Sequence, residues 1–177
     1  LFVAVTGEEK GLLGSDYFAQ NPTVPVGSMV ATVNLDMPIL IYEFADVIAF
    51  GADHSDMKSS VAKAAEKIGL ELSPDPMPDQ ALFTRSDHYS FVKQGIPSVF
   101  LVPGFKSADP EVDGSKQFSN FLKTNYHKPG DDFSQAFKFI TIFFLFCDML
   151  AATIMFSTPR SPHIRLILRR ARSVTIP

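Results

Sequence analysis

The stretch SDHYSFVKQGIPSVFLV, residues 86–102, contains the two kinds of element that decide the fold. Residues 86–94 predict a short helix that Gly95 closes, because glycine readily takes the backbone conformation that ends helices. Residues 96–102 form a continuous apolar run with Pro97 near its start, where a strand tolerates proline. Such a run predicts a strand buried on both faces, and a helix followed by such a strand is typical of an α/β protein.

Similar elements alternate along the rest of the chain. Strands are expected at residues 1–5, 30–35 and 46–51, and helices from Leu12 to Asn21, at 55–69 and at 118–125. Ser55 can cap the second of these helices and Gly69 can end it. Residues 73–80 and 103–116 are expected to be loops. This order predicts an α/β three-layer sandwich with a mixed, largely parallel sheet, in which functional groups gather beyond the strand carboxyl ends.

Composition excludes several classes of protein. The chain has 177 residues, of which 46% are hydrophobic and 20% are charged, so it is too apolar to be a disordered segment. Its single Cys excludes an intramolecular disulfide framework and a Cys-rich zinc module. The net charge of −3 gives no general basic surface, so nucleic acid is not expected as a partner.

The end of the sequence differs from the rest. Seven of the 17 Phe lie between residues 133 and 156, and residues 159–177 contain five Arg and no acid. We interpret residues 136–157 as an apolar C-terminal helix of a domain spanning 1–157, and 158–177 as a poorly ordered basic tail. A membrane span at 136–156 is the alternative, since about 20 apolar residues cross a bilayer. Asp148 argues against it, because such a group costs roughly 2.5 to 3.5 kcal/mol near the bilayer centre.

Acids and one histidine follow the predicted strands. Glu8 and Glu9 come directly after the first strand, Asp36 ends the second, and His127 lies in a late loop. Carboxylates and an imidazole suit Zn²⁺ or a similar divalent ion, and two adjacent Glu residues can divide metal binding and proton transfer between them. Each residue also has an ordinary interpretation: the Glu pair can favour a helix dipole, Asp36 can cap a turn, and His127 can be a surface side chain.

Four motifs in order resemble the zinc aminopeptidase family M28. They are TGEEKGLLGSDYF at 6–18, VNLDM at 33–37, RSDHYSFVKQGIPSVFL at 85–101 and YHKPGDD at 126–132. Members of that family are metallopeptidases that remove N-terminal residues from peptides. The resemblance therefore implies a zinc-exopeptidase-like fold, a peptide substrate with a free N-terminus, and metallo-aminopeptidase activity.

The resemblance also implies individual roles. Glu9 and His127 would bind one of two zinc ions, and Asp36 would bind the other. Glu8 would be the general base and acid that activates water and passes its proton on.

Asp87 and His88 would lie near the substrate cleft. Family members carry a further His-x-Asp metal motif upstream of the first strand matched here, so we expect an N-terminally truncated peptidase domain whose zinc occupancy is doubtful. His54 and Asp56 have this spacing but follow the Asp36 strand, and we interpret them as the start of a helix.

Three other functions stay open. A non-catalytic remnant of the same fold would bind without cleaving. A glutaminyl cyclase-like acyltransferase shares the fold, but that group relies on Trp around its pocket and this chain has none. A membrane-anchored protein would use residues 136–156 as its anchor, and membrane contact is expected only through that apolar stretch. Analogy with the family suggests a secreted, periplasmic or cell-envelope location.

Overall fold

The computed structural model of the chain describes residues 1–132 together with Cys147, Asp148 and Leu150. Four strands, in chain order, are β1 (Thr32–Leu35), β2 (Asp46–Phe50), β3 (Glu71–Ser73) and β4 (Ser98–Pro103). The α-helices of the described part are α1 (Leu13–Gln20), α2 (Met57–Lys67), α3 (His88–Val92) and α4 (Gly114–Thr124). Helices and strands are interspersed along the chain, which confirms the α/β prediction.

The strands form one mixed sheet in the order β1-β4-β2-β3. β1 pairs in parallel with β4, with Leu35 opposite Leu101, and β2 pairs in parallel with β3. β2 and β4 are antiparallel, with Val47 opposite Pro103. The sheet is therefore mixed and mostly parallel, as the sequence predicts.

Different helices cover the two faces of the sheet. Val47 and Leu101 lie in the main core together with the apolar side of α2. Ile48 and Phe100, their neighbours in sequence, belong to a separate cluster, because successive strand residues point to opposite faces. α3 contacts this second face through the rings of His88 and Phe100, and α1 packs on α3. The sheet thus lies between helical layers.

One predicted strand is absent from the structure, and one observed strand was not predicted. Residues 1–5 form no strand in the structure, and Phe2 is 97% exposed. A strand needs a hydrogen-bonded neighbour, and no strand of the described part pairs with this apolar run. β3 was not predicted, because Glu71–Ser73 is short, lies at the sheet edge and lacks an apolar run.

Helix boundaries follow local capping. The backbone N–H of Met57 donates to Ser55 Oγ at 3.3 Å, and Gly69 takes a left-handed φ of 76° just beyond α2, as expected. α4 begins at Gly114, earlier than the predicted residue 118 and inside the predicted loop 103–116. The reason is Asp113, whose carboxylate accepts a hydrogen bond from the Lys116 N–H at 3.1 Å.

The predictions for residues 136–157 and 158–177 lie outside the described residues, apart from three positions. Of these, Leu150 is buried in the main core and Asp148 is exposed. Within the described part of the chain, no helix is both long enough and apolar enough to cross a membrane.

Candidate active site

Four separate loops and turns bring the candidate charges within electrostatic range of one another. Glu8 and Glu9 begin a short 3₁₀ turn after Gly7, and Asp36 follows β1 directly. Asp87 immediately precedes α3, and His127 lies in the turn after α4. Turns and the ends of secondary structure elements supply these side chains, and among them only Asp36 directly follows a strand of the described part of the chain.

The surroundings of Glu8 shift the pKa of its carboxyl group. Partial burial raises the pKa of Glu8, and the carboxylates of Asp36, Glu9 and Asp87 raise it further, in that order. His127 opposes the shift. A carboxyl group with a raised pKa holds a proton more readily than an ordinary glutamate, which suits a group that accepts and returns protons.

His127 contacts Glu9 directly. The Nε2 atom of His127 lies 2.7 Å from Oε1 of Glu9, and both side chains are more than half exposed. The backbone of His127 takes a left-handed φ of 56°, which is uncommon for a residue other than glycine. Its ring stacks on Tyr126 with the ring centres 3.8 Å apart. The conformation of the turn after α4 therefore brings the His127 imidazole into contact with Glu9.

Asp36 is held by a serine from a distant loop. Ser86 Oγ donates to Asp36 Oδ2 at 2.6 Å, and Asn34 Nδ2 donates to Ser86 Oγ at 2.9 Å. Ser86 is buried, whereas Asp36 is half-buried. The carboxylate at the end of β1 is therefore linked to the segment that starts α3.

Asp87 and His88 are less accessible than their predicted role suggests. The His88 side chain is fully buried between the rings of Phe83 and Phe100, with ring centres 5.3 and 5.4 Å away. Burial lowers the pKa of His88 to about 4, and the Phe83 backbone and the Asp36 carboxylate only partly oppose this. Oδ1 of Asp87 is also buried without a hydrogen-bond partner in the described part of the chain. Contact of these two residues with substrate stays a prediction.

The donor atoms at this site are of the kinds that zinc prefers. Glu9 and Asp36 offer carboxylate oxygens and His127 an imidazole nitrogen, and the contact between Glu9 and His127 allows both to reach one ion. Among the described residues, no group of three or more His, Cys, Asp or Glu side chains is close enough together to hold a metal. The donor types suit zinc, but within the described part of the chain the contact between Glu9 and His127 brings only two of the three predicted ligands together.

Three polar residues of this region were not predicted as part of the site. Ser86 and Asn34 support Asp36, and Tyr126 stacks on His127. Partial burial and then the carboxylate of Glu9 raise the pKa of the Tyr126 phenol. A signal existed for Asn34, since it lies on the predicted strand two positions before Asp36, and alternate residues of a strand share a face.

Comparisons with known proteins identify the class. The family model described as Peptidase family M28 matches residues 1–139. The chain therefore belongs to peptidase family M28, as the four motifs predict.

Similar proteins include both peptidases and cyclases. The probable leucine aminopeptidase 2 of Aspergillus oryzae (strain ATCC 42149 / RIB 40) is 27% identical over 98% of this chain, which spans only 37% of that protein's length. An aminopeptidase from Aneurinibacillus sp. strain AM-1 has a TM-score of 0.51 at 21% identity, over 85% of this chain and 31% of that one.

A glutaminyl cyclase from Bacteroides thetaiotaomicron, bound to N-acetylhistamine, is equally similar in structure. Its TM-score is 0.52 at 18% identity, over 90% of this chain and 49% of the cyclase chain. A leucine aminopeptidase precursor from Bacteroides thetaiotaomicron VPI-5482 also has a TM-score of 0.52, at 17% identity over 90% of this chain and 48% of that one. These structural similarities establish the fold and do not distinguish the two activities.

Proposed function

We propose that this chain supplies catalytic groups of a zinc-dependent aminopeptidase, with Glu8 as the general base and acid. The observation that carries the proposal is the position of Glu8, whose pKa is raised first by partial burial and then by the carboxylates of Asp36, Glu9 and Asp87. Enzymes tune a glutamate upward in this way when it must accept a proton and later return it.

The metal ligands in this chain would be Glu9, Asp36 and His127, whose donor atoms suit zinc. When bound, zinc makes water a stronger acid and stabilises negative charge that develops on a carbonyl oxygen. The contact at 2.7 Å between His127 and Glu9 supports a shared ion for these two side chains.

Glu8 would move the proton that peptide hydrolysis requires. One oxygen of its carboxylate accepts a proton from the attacking water and then donates it to the nitrogen of the leaving amine. A single group can perform both steps when its pKa lies nearer to neutrality than that of an exposed glutamate.

The charge of the site favours a free N-terminus. Among the charged groups of the described residues that shift the pKa of Glu8, three are carboxylates and one, His127, opposes them, so acidic groups predominate around Glu8 in the absence of metal. A positively charged α-amino group is attracted to such surroundings. This supports an exopeptidase that acts at N-termini over an enzyme that cuts within a peptide.

A glutaminyl cyclase-like activity is the second candidate, since cyclases share the fold. Two observations favour the aminopeptidase. The curated relative, at 27% identity, is a probable leucine aminopeptidase, and this chain has no Trp to line a cyclase pocket. A non-catalytic protein of the same fold would bind peptides at this site without hydrolysing them.

The test uses the protein as its gene encodes it, with aminoacyl chromogenic substrates. We expect hydrolysis that a chelator removes and added zinc restores. Glu8→Gln should lower kcat by about 10²- to 10⁴-fold while zinc, measured by mass spectrometry, stays bound. The matched control is Glu66→Gln, which changes an exposed glutamate on α2 and should leave kcat unchanged.

Several outcomes would contradict the proposal. Cleavage of N-acetylated substrates at an equal rate would exclude an aminopeptidase. Cyclisation of N-terminal glutamine without hydrolysis would identify a cyclase, and zinc binding without either reaction would identify the non-catalytic protein.

A further inference from the structure

The turn at residues 7–11, called the glutamate turn here because it carries both candidate glutamates, is joined to α1 by backbone hydrogen bonds. The first N–H groups of a helix have no partner inside the helix. In α1, Leu13 N–H donates to the Gly7 carbonyl at 3.1 Å and Gly14 N–H donates to the Thr6 carbonyl at 2.9 Å. A Cβ added at Gly14 would lie 2.3 Å from the Thr6 oxygen, so the two segments are in close contact. The glutamate turn and the start of α1 therefore form one unit.

Two serine hydroxyls connect α1 to α3 inside the protein. Ser15 Oγ of α1 lies 3.0 Å from Ser90 Oγ of α3, and both residues are 0% exposed. Ser15 Oγ also donates to the Leu12 carbonyl at 3.1 Å. Because a hydroxyl has one proton and a carbonyl can only accept, Ser90 must be the donor to Ser15. The hydrogen bonds therefore run in one direction, from α3 through Ser15 to the residue that precedes α1.

Leu12, at the end of this series of hydrogen bonds, has an uncommon backbone conformation. Its φ of 60° is left-handed, which is unfavourable for a residue with a Cβ atom. The Leu12 N–H donates to the Glu8 carbonyl at 2.9 Å, and the Leu12 carbonyl accepts the bond from Ser15. The two serines are thus connected, through one residue, to the backbone of the proposed general base.

α3 starts directly after Asp87, another carboxylate of the candidate site. It also meets α1 through the rings of Phe18 and Phe91, whose centres are 6.1 Å apart, but apolar contact is not directional. Lys93 Nζ donates to Asp16 Oδ1 at 2.7 Å, but both side chains are more than a third exposed, so water weakens this link. The buried pair of hydroxyls is the contact that fixes both distance and angle between the two helices.

We infer that Ser15 and Ser90 are positioning residues, whose buried hydrogen bond holds the glutamate turn at one place against α3. Ser15 does so through Leu12, and Ser90 does so through Ser15. The consequence for catalysis rests on the proposed function, in which Glu8 moves the proton and Glu9 binds zinc. A displacement of about 1 Å at a catalytic group, caused by a change outside the site, can lower the rate by about 10²-fold.

The first test involves neither metal nor substrate. A positive φ brings the amide proton of a residue close to its own Hα, so a strong nuclear Overhauser effect between these two protons reports the conformation of Leu12. We expect a strong effect in the zinc-free wild type and a weaker one in Ser15→Ala. The matched control is Ser98→Ala, which removes another buried hydroxyl, one that donates to the Ile96 carbonyl at 2.9 Å. The control should keep the wild-type effect, and an unchanged effect in Ser15→Ala would overturn the inference.

The second test measures kcat with aminoacyl chromogenic substrates at saturating zinc. Ser15→Ala should lower kcat by about 10- to 100-fold, and Ser98→Ala should leave it unchanged. Because Ser90 acts through Ser15, the double variant Ser15→Ala/Ser90→Ala should be no slower than Ser15→Ala. Losses that add in the double variant would overturn the role given to Ser90.

A rescue variant distinguishes positioning from a general loss of packing. Glycine takes a left-handed φ without steric cost, so adding Leu12→Gly to Ser15→Ala should raise kcat toward the wild-type value. The added change does not replace the lost hydroxyl, so the lower urea midpoint of Ser15→Ala should remain. If Leu12→Gly leaves the kcat of Ser15→Ala unchanged, the role given to Leu12 is wrong.

The tests separate this inference from the proposed function. If the wild type hydrolyses the substrates and Ser15→Ala does so equally fast, the inference fails and the proposed function stands. If the wild type hydrolyses none of them, the proposed function fails, and the Overhauser effect still decides whether Ser15 holds the conformation of Leu12.

Discussion

The Nε2 atom of His127 lies 2.7 Å from Oε1 of Glu9, in a contact between two side chains that are both more than half exposed to solvent. It joins the turn after α4 to the turn that precedes α1. Contacts of this exposed kind add little to the free energy of unfolding, because water screens the charges and two side chains must be ordered. We therefore expect this pair to contribute little to the free energy of unfolding, whereas in the proposed function both side chains bind zinc.

His127→Gln separates those two roles. We expect its free energy of unfolding, measured in urea, to change by less than about 1 kcal/mol, while zinc affinity and kcat/KM fall sharply. Lys58→Gln is the control, since it breaks another exposed contact, that of Lys58 with Asp53 at 2.5 Å, away from the site. That variant should lose neither stability nor activity, and a comparable loss of activity in both variants would remove His127 from the site.

Neutralising its neighbours should lower the pKa of Glu8. Asp36 raises that pKa more than Asp87 does, because its charge interacts more strongly with Glu8. In zinc-free protein, we expect the Glu8 titration midpoint to fall in both Asp36→Asn and Asp87→Asn, and to fall further in Asp36→Asn. Carboxyl ¹³C shifts measure the midpoint. Asp79→Asn, at an exposed position in the 3₁₀ turn Pro78–Gln80, is the control, and an unmoved midpoint in both site variants would mean that the carboxylates do not converge on Glu8.

His88 should make stability depend on pH. The pKa of His88 is about 4 in the folded chain, against an ordinary value of 6.5 that we assign to the unfolded chain. Between these two pH values, the unfolded chain takes up a proton on His88 that the folded chain does not. The contribution of His88 to stability is therefore present above pH 6.5 and decreases as the pH falls toward 4, by at most about 1.4 kcal/mol for each pH unit. Urea unfolding at pH 7 and pH 5 measures this.

In His88→Phe, the difference in stability between pH 7 and pH 5 should be smaller than in the wild type. His54→Gln changes an exposed histidine and should keep the wild-type difference. Equal differences in wild type and His88→Phe would show that His88 takes up its proton normally in the folded chain.

Gly104→Ala should destabilise the fold. A Cβ at this position would overlap with the carboxylate of Asp46, which is 2% exposed and accepts a hydrogen bond from the Lys106 N–H at 2.8 Å. Forcing extra volume into such a place costs roughly 1 to 3 kcal/mol. Gly27→Ala, where an added Cβ has nothing within 4 Å, should leave the urea midpoint nearly unchanged.

A loss of stability in Gly27→Ala equal to that in Gly104→Ala would show that the close packing at Gly104 has no special cost. A wild-type midpoint in Gly104→Ala would show that Asp46 can move aside at no cost.

Local sequence patterns correctly predicted the helices and strands whose pattern of apolar residues lies within the segment itself. Residues 96–102 are a continuous apolar run, and β4 occupies Ser98–Pro103 with all but one of its residues buried. The amphipathic stretch 55–69 became α2 because its apolar stripe packs on the sheet. The strand at residues 1–5 could not be judged in this way, since an apolar run does not show which strand will pair with it.

The candidate site was predicted only as a set of residue types. The motifs named Glu8, Glu9, Asp36 and His127, and electrostatic effects on Glu8 show that the other three lie near it. The Ser86 contact was not predictable from spacing, because it depends on how a loop returns to the end of β1 across 50 residues. The burial of His88 likewise depends on rings contributed by two other segments.

The parallel pairing of β1 with β4 also bears on when the site forms. Parallel neighbours cannot be joined by a tight turn, so the chain between Leu35 and Ser98 must be arranged before the two strands align. Contacts between residues far apart in sequence form slowly, because the entropy of closing the intervening loop is lost before they stabilise the chain. Asp36 and Ser86 belong to these two distant segments, so the carboxylate gains its hydrogen bond only once the end of β1 and the loop before α3 have been brought together.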